Sequence, residues 1–159
     1  MNDIYQILND LNIAYTTHEH QAVFTVDEAE SIYKNFRGAS SKNLFLRNRK
    51  GDRHYLLVMK SAKKTDLKAL AQQLKESNLS FALPDRLMKY LGLTPGSVSP
   101  FGIINDIKKE VVVLIDEDLW QHDIQNFHPN INTATLELSR DDFKKFLNWR
   151  GNEVRFVKV

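Results

Sequence analysis

Val111-Val112-Val113-Leu114-Ile115 is apolar at every position. A strand with one wet face alternates between apolar and polar residues, whereas a strand apolar on both faces has to be covered on both. The run therefore predicts a buried sheet strand. Beyond it, Asp116 to Gln125 reads as a turn and a short helix, and Thr133 to Leu138 alternates in the manner of a half-buried strand. Ser139-Arg140-Asp141-Asp142 caps a helix with Phe143, Phe146 and Leu147 inward and Gly151 as its stop. Val154 to Val157 closes as a final strand. Toward the N-terminus, Pro84 suits the first residue of a helix that Gly92 ends, after a short extended piece from Ser80 to Leu83. Thr65 can cap a helix to about Ser77, with Leu67, Leu70, Ala71 and Leu74 on its buried face. Asn43 to Arg47 and His54 to Lys60 read as a β-hairpin turning at Lys50-Gly51-Asp52. Thr25-Val26-Asp27-Glu28 is a capping-box pattern opening a helix through about Phe36, broken by Gly38-Ala39-Ser40-Ser41. Ala14 to His18 looks extended, and Ile4, Ile7, Leu8 and Leu11 recur at helical spacing over residues 3–12. Strands and helices mix irregularly. The expected class is α/β (α+β), a mixed sheet wrapped by helices rather than a doubly wound fold. No repeat or linker interrupts it, so residues 1–159 read as one domain.

Bulk properties exclude several classes. Of the 159 residues, 42% are hydrophobic and 26% charged, which suits a globular domain with one sizeable core. No apolar run approaches the roughly 18 residues of a membrane span. Met1-Asn2-Asp3-Ile4 lacks the basic-then-apolar start of a signal peptide. The absence of cysteine removes disulfides, thiol catalysis and zinc–thiolate sites, and fits a cytoplasmic protein. The net charge of +2 hides an asymmetry. Residues 1–33 carry six acids and no Lys or Arg, while residues 34–68 carry eleven bases and two acids. That local excess favours an anionic partner such as nucleic acid, and the modest total argues against nonspecific duplex coating.

Three segments could carry chemistry. In Gly96-Ser97-Val98-Ser99-Pro100-Phe101-Gly102, two glycines and a proline shape a loop whose backbone N–H groups can face a carbonyl oxygen or a phosphate. A plain surface turn is the competing reading. Ser41-Lys42-Asn43-Leu44-Phe45-Leu46 places a cation and an amide at the mouth of an apolar strand, and lysine suits phosphate as a compact charge. His128 precedes Pro129, which restricts it to extended geometry, and a hydrogen-bonded loop histidine is the competing reading there. The other histidines are weaker candidates. His18 and His20 have metal-like spacing but no evident third ligand, and surface roles are expected of His54 and His122. GxSxG, GxGxxG and P-loop patterns are absent, and no carboxylate pair stands out, so neither a serine nucleophile nor a nucleotide cofactor is indicated.

Together the three segments resemble the bacterial prolyl-tRNA editing family, the YbaK-like proteins related to the editing insertion domain of prolyl-tRNA synthetase. The third segment is Asn126-Phe127-His128-Pro129 with Asn132-Thr133-Ala134-Thr135. The likeness extends over nearly the whole chain, including Thr25-Val26, Asp66-Leu67-Lys68 and Asp142-Phe143 to Phe146-Leu147. It is strongest toward the freestanding branch that deacylates alanine mischarged onto proline tRNA. The resemblance implies that family's fold, with a barrel-like sheet core, and a hydrolase acting on an aminoacyl ester without metal or cofactor. It implies that Lys42 anchors phosphate near the 3′ adenosine with Asn43 beside it. It further implies that Gly96, Ser97, Val98, Ser99 and Pro100 hold the ester carbonyl, and that His128 positions the aminoacyl group. Arg47, Lys60, Lys63 and Lys64 join Lys42 as expected tRNA contacts. The expected partners are mischarged tRNA(Pro) and the prolyl-tRNA synthetase, with no DNA and no membrane. A deacylase for cysteinyl- or seryl-tRNA, or a noncatalytic tRNA- or synthetase-binding module on the same fold, stays open.

Overall fold

The structure is a computed structural model that describes residues 3–22 and 25–159, without the Val26 side chain. Met1 and Asn2 of the N-terminal reading, and the Val26 side chain of the capping-box reading, lie outside the described residues. In chain order the elements are α1 (Ile4–Asp10), β1 (Thr16–Glu19), α2 (Val26–Tyr33), β2 (Ala39–Asn48), β3 (His54–Lys60), α3 (Leu67–Leu74), β4 (Leu79–Phe81) and α4 (Pro84–Leu91). A 3-10 helix (Pro100–Asn105) follows, then β5 (Val111–Asp116), α5 (Glu117–Trp120), β6 (Ile124–Phe127), β7 (Ala134–Ser139), α6 (Arg140–Arg150) and β8 (Val154–Val157). The eight strands form one mixed sheet in the order β1-β7-β6-β2-β3-β5-β8, with β4 also paired to β2. Among the described residues, no helix is long and apolar enough to cross a membrane.

β5 is buried along its whole length, as its composition requires. Its alternate residues feed two cores. Val111, Val113 and Ile115 join a large cluster with Leu56 and Val58 of β3, Leu87 and Leu91 of α4, Phe101, and Phe143 and Phe146 of α6. Val112 and Leu114 join Tyr55, Leu57 and Met59 of β3 beneath Leu70, Ala71 and Leu74 of α3. Each such side chain contributes about 1.5–3 kcal/mol by leaving water, which locks the strand register.

β2 is the strand that positions the site. Its start pairs in parallel with β6, Ala39 with Gln125 and Ser40 with Asn126. From Ser41 to Arg47 it pairs with β3, and its far end also pairs with β4. Past Ser40 and Asn126, β2 and β6 part, leaving Ser41, Lys42 and Asn43 on one strand across from His128 beyond the other. Gly38 makes the approach possible. It has φ +75°, and a Cβ there would lie 2.3 Å from the Ile124 carbonyl oxygen.

Several sequence expectations needed correction. Asp66, not Thr65, caps α3, its carboxylate accepting from the N–H groups of Lys68 and Ala69. An acidic side chain there also complements the helix dipole. Ala39 to Ser41, read as a helix break, already belong to β2, and Ile124 and Gln125, read as the end of a turn and short helix, open β6. β7 is buried on both faces through Leu138: Leu136 and Leu138 enter the large core, while Thr135 bonds His20 and Glu137 bonds His18 and Arg37 on the other face. His54 is not a surface residue: it is 2% exposed, stacked against Tyr90 and Phe45, with Arg86 donating to Nε2 at 3.0 Å.

Candidate active site

Where β2 and β6 part there is a cavity of about 230 Å³. β2 supplies Ser41, Lys42 and Asn43, the turn after β3 supplies Ser61, and the loop after α4 supplies Gly96 and Val98. His128 comes from the end of β6, and Thr25, Ala29 and Tyr33 come from α2 and its cap. Thr25 caps α2 by accepting from the Glu28 N–H, as its capping-box position predicts.

His128 is fixed at both ring nitrogens. Nδ1 lies 3.1 Å from the Ala134 carbonyl oxygen, which can only accept, so Nδ1 carries the proton. Nε2 therefore accepts from the Tyr33 hydroxyl at 3.1 Å. Burial pushes the His128 pKa below the usual histidine range against the pull of the Ala134 hydrogen bond, and His20 lowers it further. The ring is thus neutral and already spoken for at neutral pH. Burial likewise raises the Tyr33 phenol, keeping it protonated as a donor.

Asn43 donates from Nδ2 to the Val98 carbonyl at 3.2 Å, tying β2 to the glycine-containing loop. Its Oδ1 is buried and has no partner among the described residues. The Lys42 ammonium donates to the Lys63 carbonyl, and burial followed by the nearby Lys64 charge pulls its pKa down. Gly96 has φ +91° and is exposed at the rim. The Ser97 N–H is used within the loop, on the Thr94 carbonyl.

The structure brings together Lys42, Asn43, Gly96, Val98 and His128, which the sequence scattered over 87 positions. It places three others outside the cavity lining. Ser97 follows the rim glycine, and Pro100 is buried at the start of the 3-10 helix. Ser99 is buried, donates to the His128 carbonyl and accepts from the Phe101 N–H, so it joins the loop to the His128 segment. Of the expected tRNA contacts, Lys64 is exposed beside Lys42, and Lys60 ends β3 opposite Ser41. Arg47 lies at the hairpin end of β2, holding the carbonyls of Asn48 and Arg49. Lys63 is drawn away to Asp116 and Asp118. Tyr33 was not singled out by sequence reasoning. It is 95 positions from His128, on the helix that Thr25 caps, and no motif marks it.

Residues 20–146 match the family described as the aminoacyl-tRNA editing domain. The chain belongs to that family. It is 43% identical over 152 residues to the prolyl-tRNA editing protein ProX of Acetoanaerobium sticklandii, covering 96% of this chain and 93% of the relative. It is also 32% identical to the prolyl-tRNA synthetase associated domain-containing protein 1 of Bos taurus, covering 93% and 88% of the two chains. A crystal structure described as a candidate trans-editing enzyme for prolyl tRNA synthetase superposes with a TM-score of 0.73 over 99% of this chain and 95% of that one. At 21% identity that likeness speaks for the fold: a mixed α/β domain with its eight-stranded sheet. As a member of the aminoacyl-tRNA editing family, the chain is an aminoacyl-tRNA deacylase, an ester hydrolase acting on mischarged tRNA.

Proposed function

We propose that this deacylase removes alanine from mischarged tRNA(Pro). The observation that carries the reading is the 230 Å³ cavity in which Lys42, Asn43, Gly96, Val98 and His128 meet. It is smaller than the roughly 300–1,000 Å³ of pockets that enclose a whole small-molecule ligand. It therefore suits the aminoacyl end of the substrate rather than a nucleotide. The 43% identity to a prolyl-tRNA editing protein supports proline tRNA as the carrier.

Ester hydrolysis needs a water, a polarised carbonyl and donors for the developing oxyanion. With the Ser97 N–H held by the Thr94 carbonyl, the loop offers the N–H groups of Gly96 and Val98, and the Lys42 ammonium offers positive charge for the terminal phosphate. The orphaned Asn43 Oδ1 suits the α-ammonium of the amino acid. No lining residue among those described is a carboxylate, and both His128 nitrogens are engaged. The substrate therefore assists its own hydrolysis: the vicinal hydroxyl of the terminal ribose hydrogen-bonds and orients the water, whose proton ends on the leaving ribose oxygen, and the protein supplies geometry. Alanine is selected by size. One methylene more or less changes binding by about 1–3 kcal/mol, whereas a prolyl ring meets the walls at Ala29, Tyr33 and Val98. The prolyl-tRNA synthetase is the natural source of such mischarged tRNA.

The test is ester loss from alanyl-, seryl-, cysteinyl- and prolyl-tRNA, all on the proline tRNA body. Alanyl ester should be lost fastest and prolyl ester spared. Fast loss of prolyl ester, or seryl or cysteinyl ester lost in preference to alanyl, would contradict the reading.

A further inference from the structure

We propose that Asp116 and Lys63 are positioning residues for the cavity, an ion-pair strut that sets the place of the Lys42 ammonium. This rests on the functional reading above. Lys63 lies in the basic segment and reads from sequence as an RNA contact, but its ammonium faces the other way. It donates to Asp116 Oδ1 at 3.0 Å, to Asp118 Oδ2 at 2.5 Å and to the Val159 backbone oxygen at 2.7 Å. Burial alone would push the Lys63 ammonium down, yet its hydrogen bonds to Asp118 and Asp116 outweigh it and hold the pKa up. A cation so neutralised has little charge left for a phosphate.

What Lys63 offers the site is its main chain. Its carbonyl accepts the Lys42 ammonium, and the turn that presents this carbonyl runs from Lys60 to Lys63. Asp116 grips that turn at both ends. Oδ2 accepts from the Lys60 N–H at 3.1 Å, and Oδ1 accepts from the Lys63 ammonium. The Asp116 side chain is 1% exposed and sits at the end of the buried strand β5, so the grip is referred to the core rather than to the surface. Between the two ends, Ser61 lines the cavity and its N–H bonds the Ser40 carbonyl at the point where β2 leaves β6. A chain of contacts thus runs from β5 through Asp116, the 60–63 turn and the Lys63 carbonyl to Lys42. Without the strut, the ammonium keeps its charge but loses its fixed place.

The two roles for Lys63 predict opposite behaviour, because Asp116 is negative. If the patch simply attracts RNA, removing a carboxylate should leave or improve tRNA binding and leave turnover intact. If Asp116 positions Lys42, removing it should cost turnover despite the gain in net charge. The experiment measures single-turnover deacylation of alanyl-tRNA(Pro) at saturating enzyme, and the Kd for uncharged tRNA(Pro), in Lys63→Met, Lys63→Arg, Asp116→Asn and Asp118→Asn. Asp123→Asn serves as a charge control, its carboxylate being exposed and paired to Arg140. Lys63→Met and Asp116→Asn should slow the chemical step about tenfold, with Kd changed by less than about twofold. Lys63→Arg should keep most of the rate, Asp118→Asn should fall between, and Asp123→Asn should match the unsubstituted protein. A full rate in Asp116→Asn, or a Lys63→Met defect confined to Kd, would overturn the proposal. Amide hydrogen exchange at Ser61 and Lys63 provides a second readout that needs no substrate. Faster exchange confined to this turn in Lys63→Met supports the strut, and unchanged exchange contradicts it. Should the unsubstituted protein prove inactive on every aminoacyl-tRNA, the functional reading fails while the exchange result still decides the strut.

Discussion

At the residue scale, His128 and His54 show how burial assigns opposite work to one side chain. His128 is held neutral between Ala134 and Tyr33 and faces the cavity. Tyr33→Phe removes the donor to Nε2 at the loss of one hydrogen bond, about 1 kcal/mol, so deacylation should fall about fivefold. A rate equal to that of the unsubstituted protein would show that the ring keeps its place without the phenol. Lys42→Ala should lower the rate at subsaturating tRNA, through lost placement of the terminal phosphate; an unchanged rate there would contradict its role. His54 is structural. Burial, with the Arg86, Arg47 and Lys89 charges, pushes its pKa down to about 4. In the unfolded chain it titrates near 6.5, so below that pH the unfolded state binds the extra proton. The folded protein therefore loses stability as pH falls from about 6.5 toward 4, by about 3 kcal/mol from this group. Urea unfolding of the protein and of His54→Gln at pH 7 and pH 4.5 should show a steeper pH dependence in the former. Parallel curves would sink this assignment. Lys42 and His128 were legible in sequence because their neighbours resemble a family's motifs. Tyr33 was not, since its contact spans 95 positions. Ser99 carried the right motif, but its hydroxyl holds the His128 segment instead of facing the cavity.

At the element scale, the site exists because β2 serves two partners in turn and parts from β6 after Ser40. Gly38→Ala tests this junction. The substitution forces φ +75° on a residue with a Cβ and drives that atom against the Ile124 backbone. A loss of about 2 kcal/mol or more is expected in chemical denaturation, with reduced deacylation. Stability within a few tenths of a kcal/mol would mean that the junction yields. Helices and the hairpin were legible because caps, periodicity and Gly51 are local signals. The Pro84 start of α4, the Ser139 cap and the Gly151 stop of α6 all stand where local chemistry puts them. β6 was not legible. Ile124-Gln125-Asn126-Phe127 has polar central residues, and they are buried because their side chains bond the main chain of α5's end and of Arg37. A strand satisfied by tertiary partners leaves no apolar pattern to read.

At the scale of the whole molecule, the basic segment 34–68 does not form one uniform patch. Lys42 lines the cavity with the Lys64 charge near it, whereas Arg47 sits at the far hairpin and Lys63 is neutralised by two aspartates. Charge counting marks the segment but cannot sort its members, because their orientation depends on β5 and α5, some fifty residues further on. On the proposed function, the protein supplies a cradle and a cation while the substrate supplies the hydroxyl that orients the water. One measurement tests it most directly: single-turnover hydrolysis of alanyl-tRNA(Pro) beside the same substrate with the vicinal ribose hydroxyl replaced by hydrogen, with binding of each measured in parallel. Loss of turnover with binding largely intact is the predicted result; undiminished turnover of the deoxy substrate would contradict it.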